Sequence, residues 1–147
     1  MNSKSIDAIG ILITDHRAVK AMFAEFDELS DRSTVSKKRL VDTICNALLI
    51  HTQIEEEIFY PAVKEVIGND DLMDEAVVEH ASAKDLIEQI QEMDPSDDLY
   101  DAKVKVLSEQ IEHHVLEEER EMFPLVRKTR LDLIALGEEM SERKEQF

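Results

Sequence analysis

Ionisable side chains on apolar helical stripes constrain the fold of this chain more than any other feature. Ile9, Leu12, His16, Val19, Phe23 and Phe26 step by three and four residues, the period of a helix face turned toward a core. A second stripe carries Val41, Ile44, Leu48, His51, Glu55, Phe59 and Ala62. A third carries Met73, Val77, His80, Ala83, Ile87 and Ile90, and a fourth Val104, Leu107, Ile111, His114, Glu118, Met122 and Leu125. Every stripe thus brings one histidine inward, and two bring a glutamate one turn later. A carboxylate among Ile, Leu and Val costs several kcal/mol unless it is paired or bound to a metal. The fold has to bring these groups to one another.

The pattern occurs twice. His51-Thr52-Gln53-Ile54-Glu55-Glu56-Glu57 runs on to Phe59-Tyr60-Pro61, and His114-Val115-Leu116-Glu117-Glu118-Glu119 runs on to Met122-Phe123-Pro124. At almost the same shift, Asp15-His16 with Lys20 corresponds to Glu79-His80 with Lys84. Each copy holds an isolated histidine and then His-x-x-x-Glu. Residues four apart project from one face of a helix, so each His-Glu pair can converge on one point.

The stripes predict a first helix over residues about 5 to 30, ended by Ser30-Asp31-Arg32-Ser33. Gly68-Asn69-Asp70-Asp71 separates the second helix from the third, and Asp94-Pro95-Ser96-Asp97 the third from the fourth. Pro61 and Pro124 fall within helical stretches and should bend or interrupt them, since each removes a backbone donor. Leu131-Asp132-Leu133-Ile134-Ala135-Leu136-Gly137 and its charged tail predict a short fifth helix. Four amphipathic helices with short polar turns imply an all-α, antiparallel up-down-up-down four-helix bundle with a short C-terminal fifth helix. Without a composition break, residues 1–147 read as a single domain. Scarce Gly (3), Pro (3) and Trp (0) fit helices better than a sheet.

A net charge of −17 opposes binding to nucleic acid phosphates and to anionic membranes. No stretch approaches the ~20 apolar residues of a membrane span, and Met1 to Ile13 lacks a signal-peptide pattern. Cys45 stands alone, so no disulfide framework exists. A cytoplasmic protein, monomer or homodimer, is the expectation.

A lone stripe histidine is ordinarily a hydrogen-bonded core residue, and an acidic run is ordinarily a solvated face. Four of five histidines on stripes, with two identical His-Glu spacings, are not explained that way. His16, His51, Glu55, His80, His114 and Glu118 are therefore the candidate metal ligands. Imidazole suits first-row metals, and carboxylates can bridge two ions. His113 shares the polar face of the fourth helix with Gln110, Glu117 and Arg120, and stays outside the site. Zinc proteases place His-Glu-x-x-His on one helix, ferritin-like bundles use Glu-x-x-His, and neither occurs here. Cys45 has no nucleophile signature around it.

These residues resemble the hemerythrin-like, or HHE cation-binding, domain family. The likeness rests on Asp15-His16, His51-x-x-x-Glu55-Glu56 leading to Tyr60-Pro61, Glu79-His80, and His114-x-x-x-Glu118-Glu119 leading to Phe123-Pro124. The tail from Asp132 to Met140, with Lys144, also looks like the end of such domains. The resemblance implies a non-haem centre of two iron ions with an oxo, hydroxo or water bridge. In it His16, His51, His80 and His114 would be terminal ligands, and Glu55 and Glu118 would bridge. Manganese or zinc could use the same ligands.

Two departures stand out. Oxygen-carrying hemerythrins have a further histidine where this chain has Lys84, and a final aspartate five residues after the last histidine where Glu118 stands at four. Six side chains leave open positions on two metals, which favours redox chemistry or sensing over reversible oxygen carriage. The implied ligands are dioxygen, peroxide or nitric oxide, with catalase-like peroxide disproportionation as one activity. A non-enzymatic iron, oxygen or redox sensor acting through a partner is the alternative, and a bundle with purely structural histidines ranks last. Tyr60, Glu56 and Glu119 are close enough in sequence to join or orient the shell, although packing or surface is the plainer role for each.

Overall fold

A computed structural model describes residues 6–147, so the start expected for the first helix, at about residue 5, lies outside the described residues. Helix α1 spans Ala8–Glu28, and its N-cap Asp7 accepts a hydrogen bond from the Gly10 amide at 2.7 Å. Helix α2 (Thr34–Ile54) passes through a π turn at Glu55–Phe59 into α3 (Tyr60–Ile67), which stops at Gly68 in the left-handed region, φ 61°. Helix α4 (Asp70–Gln91) begins behind Asn69, whose side chain accepts from the Leu72 amide at 3.1 Å. Helix α5 (Tyr100–Glu117) passes through a second π turn at Glu118–Met122 into α6 (Phe123–Arg127). A separate helix α7 (Leu133–Lys144) follows, capped by Asp132. Among the described residues there is no strand.

The result is an all-helical bundle of four rods with a short C-terminal helix. Helix α1 packs on α2, and α4 on α5, while α7 lies against α1 and the first π turn. Two apolar clusters fill the interior. One gathers Leu12, Phe59, Val63, Met73, Phe123 and Met140. The other gathers Phe23, Ile44, Leu48, Ile87, Val104 and Leu107. Along every rod the stripe histidine falls between the two.

The prolines act differently from a simple kink. At each, the chain inserts one extra residue: Tyr60 N–H bonds to Glu55 O, and Phe123 N–H to Glu118 O, five residues back. A wider turn accommodates the proline ring, which would otherwise meet the carbonyl four residues before it. The extra residue also advances the buried stripe by one. Val63 and Val126 are buried, where uninterrupted periodicity had put Ala62 and Leu125, both of which are only half-buried. On α4, Val77 is 58% exposed, and Ala76 takes its place on the buried face.

Candidate metal centre

Each ligand candidate is held by a different part of the bundle: His16 by α1, His51 by α2, His80 by α4 and His114 by α5. Glu55 and Glu118 are the first residues of the two π turns. Such turns recur at functional sites because they re-aim a side chain without ending the helix. All six are buried, Glu55 completely. Ligand atoms of His16, His51, Glu55 and Glu118 lie within 4.8 Å of one another, as do those of Glu55, His80, His114 and Glu118. The two glutamates belong to both groups.

The four imidazoles share one orientation. Nε2 points inward, 3.1 Å from Glu118 Oε1 for His16, 3.3 Å from Glu55 Oε1 for His51, 3.1 Å from Glu55 Oε1 for His80 and 3.3 Å from Glu118 Oε2 for His114. Nδ1 points outward to a carboxylate: Glu119 for His16 (2.7 Å), Asp15 for His51 (2.9 Å), Glu56 for His80 (2.8 Å) and Glu79 for His114 (2.7 Å). This carboxylate–histidine line puts the outer proton on Nδ1, leaves Nε2 as the ligand atom, and raises its basicity. The repeat is obeyed here too. An acid immediately before one histidine holds the ring of the next rod, and the residue after each buried glutamate holds the isolated histidine of the other copy.

Along the sequence Glu56 and Glu119 could join or orient the shell, with packing or surface as the plainer role, and Asp15 and Glu79 carried no assigned role; all four instead hold the outer nitrogen of a histidine. The available signal was the acid preceding the isolated histidine in both copies. Lys84, the departure from the oxygen-carrier pattern, donates to Glu56 at 2.6 Å. It thus orients a ligand candidate where a further ligand would stand. His113 is exposed, as its polar-face position implied, and contacts Glu117 and Glu79.

Tyr60 breaks the symmetry. Its hydroxyl donates to Glu118 and lies 3.2 Å from His80 Nε2 and 3.1 Å from His114 Nε2. Burial, together with Glu55 and Glu118, pushes its ionisation well above the ordinary phenol value, so the proton stays on. In the other copy Phe123 stacks on His16, with ring centroids 6.1 Å apart. One half therefore has a hydroxyl where the other has only a ring face.

His16 Nε2, His51 Nε2, both Glu55 oxygens and Glu118 Oε1 are buried without a hydrogen-bond partner. Buried polar atoms are nearly always bonded, so this many orphans around one point fit cations, and the mixed imidazole–carboxylate donor set suits first-row metals. Without a cation the site holds protons instead. Burial alone would lower the His51 pKa, but Glu55 and Asp15 outweigh it and raise it to about 10. Against the same burial penalty, Glu118 and Glu55 raise His114 to about 10. Glu118 is held well below the usual carboxylate range, with His114 and His16 overcoming its burial.

Residues 7–126 match the Hemerythrin HHE cation binding domain. The chain belongs to that family. Its fold is similar to the crystal structure of a hemerythrin HHE cation binding domain-containing protein from Mycobacterium kansasii, with a TM-score of 0.82 and 27% identity over 96% of this chain and 86% of that one. It is also 29% identical, over 117 residues, to a DNA nickase of Nostoc sp.. That match takes in 80% of this chain but only 32% of the nickase, so the HHE domain spans about a third of that relative's length.

Proposed function

We propose that this HHE domain holds two metal cations, one on His16 and His51 and one on His80 and His114, with Glu55 and Glu118 shared between them. The observation that carries this reading is Glu55, fully buried, with neither oxygen hydrogen-bonded and two imidazole Nε2 atoms facing one of them. Iron is the proposed metal, and manganese and zinc are the competitors because they accept the same donors. When bound, two iron ions would give and take electrons in reaction with dioxygen, nitric oxide or hydrogen peroxide, and disproportionation, in which one peroxide is reduced to water and another oxidised to dioxygen, is one such activity.

The protein's own part is selection and orientation. Next to the four histidines lies a cavity of about 30 Å³, walled by Val19, Leu48, Thr52, Ala83, Ile111 and Val115. A single water needs roughly 10–15 Å³, so this cavity has room for a diatomic or peroxide. The apolar wall limits the water present there, and the four outer carboxylates lock the imidazole rings. Tyr60 keeps a proton beside Glu118. The nickase likeness is not carried over to this chain, since a charge of −17 repels a phosphate backbone.

A second reading, a metal- or redox-dependent sensor, is favoured by ligand candidates drawn from all four rods, because occupancy then alters the stability of the whole bundle. Plasma mass spectrometry of untagged protein, with absorption spectra before and after peroxide, tests the proposal. Near two irons per chain and charge-transfer bands that respond to peroxide are expected. No metal after anaerobic iron loading would remove the function and leave the fold.

A further inference from the structure

Behind the outer carboxylates lies a set of basic side chains that does not follow the repeat. Lys84 donates to Glu56, the partner of His80, from within the bundle. His113 lies 3.4 Å from Glu79, the partner of His114. Asp15, the partner of His51, is reached from elsewhere: Lys144, the last residue of α7, donates to Asp15 Oδ1 at 2.7 Å while Asp15 Oδ2 meets His51 Nδ1 at 2.9 Å. Lys144 lies beyond the residues matched to the family, which end at 126. The C-terminal helix therefore contributes to one half of the centre something that the repeated unit does not contain.

Two further contacts define how α7 is placed. Gly137 is buried, and a Cβ there would come within 2.9 Å of the Ala8 amide nitrogen and of the Ile6 carbonyl oxygen, so α7 sits directly on the start of α1. Arg143 donates to Glu57 at 2.8 and 3.3 Å. Glu57 accepts from Gln53 and Arg143 and holds no histidine. The two tethers thus differ in a useful way: Arg143 fastens the helix, and Lys144 fastens the helix and continues through Asp15 to a ring nitrogen.

We propose that Lys144 is a positioning residue for the metal centre. By fixing the Asp15 carboxylate it fixes the ring plane and the Nδ1 proton of His51, so α7 controls how firmly the His16–His51 half holds its cation. This rests on the two-cation reading above. Lys144 is about half-exposed to solvent, and an ion pair screened by water contributes little to stability by itself, whereas loss of an outer-shell partner ordinarily weakens metal binding about 10- to 100-fold. Metal retention and stability of the fold should therefore separate.

The test compares the full-length wild-type protein, Lys144→Met, Lys144→Arg and Arg143→Met after iron loading. Release of iron to a chelator and the near-ultraviolet absorption spectrum are followed, alongside melting of the metal-free proteins. Lys144→Met is expected to lose about half its iron roughly tenfold faster than wild type, with an altered spectrum and a metal-free melt matching that of Arg143→Met. Lys144→Arg should restore wild-type release. Equal release from Lys144→Met and Arg143→Met would show that α7 acts only as a fastening and overturn the proposal. Wild-type release and spectrum in Lys144→Met would overturn it as well. Wild-type protein that takes up no iron would fail the two-cation reading and this proposal together, a result distinguishable from the other two because it appears before any variant is made.

Discussion

His16 belongs to one ligand group and Glu118 to both, so their removal should be felt differently. His16→Ala is expected to leave about one metal per chain and Glu118→Ala almost none, since a shared carboxylate serves both cations. Metal analysis of the two purified variants checks this, and equal loss from both would contradict the sharing. A second expectation concerns protons. In metal-free protein His51 and His114 both have pKa values raised to about 10 from an unfolded value of 6.5. A raised pKa means the folded state binds the proton more tightly, so this contribution is complete below about pH 6.5 and is lost as pH rises toward 10. Urea unfolding with chelator present should therefore show stability falling across that window. Metal affinity should change the other way, because a cation must displace those same protons. A metal-free protein equally stable at both ends of the window would contradict the assignment.

At the scale of elements, the two π turns and α7 set the geometry. Each π turn starts at a shared glutamate and ends just before the aromatic–proline pair, so one inserted residue aims the carboxylate inward and resets the stripe beyond it. Helix α7 depends on the bare backbone of Gly137 against Ile6, Asp7 and Ala8. Gly137→Ala should push α7 off α1 and cost about 1–3 kcal/mol, the usual penalty of overpacking a close contact. Chemical denaturation of the metal-free variant measures it, and an unchanged midpoint would show that the contact can relax.

For the whole molecule, the centre ties all four rods together, so metal should act as a ligand of the folded state. At free metal a hundredfold above the dissociation constant the gain is about 2.7 kcal/mol. Calorimetry should show melting temperature rising with metal and falling on chelation; identical melts would remove the sensor reading. No helix among the described residues is long and apolar enough to cross a membrane, in line with the short apolar runs of the sequence.

Period and repeat were legible in the chain itself. Steps of three and four residues specify helices, and the stripes placed His16, His51, Glu55, His80, His114 and Glu118 on inward faces because burial selects side chains by helical phase alone. The HHE resemblance followed from those positions. Tertiary structure decided the rest. Phase cannot register a π turn, so the shift from Ala62 to Val63 and from Leu125 to Val126 was invisible. Nor can phase say which surface acid reaches a ring on another rod. Along the chain Asp15 and Glu79 show only as acids that precede a histidine, and Glu56 and Glu119 as acids that follow a buried glutamate; which ring each one holds is decided when neighbouring helices bring them within hydrogen-bond distance. The same holds for Lys144, far from Asp15 in sequence and 2.7 Å from it in the fold.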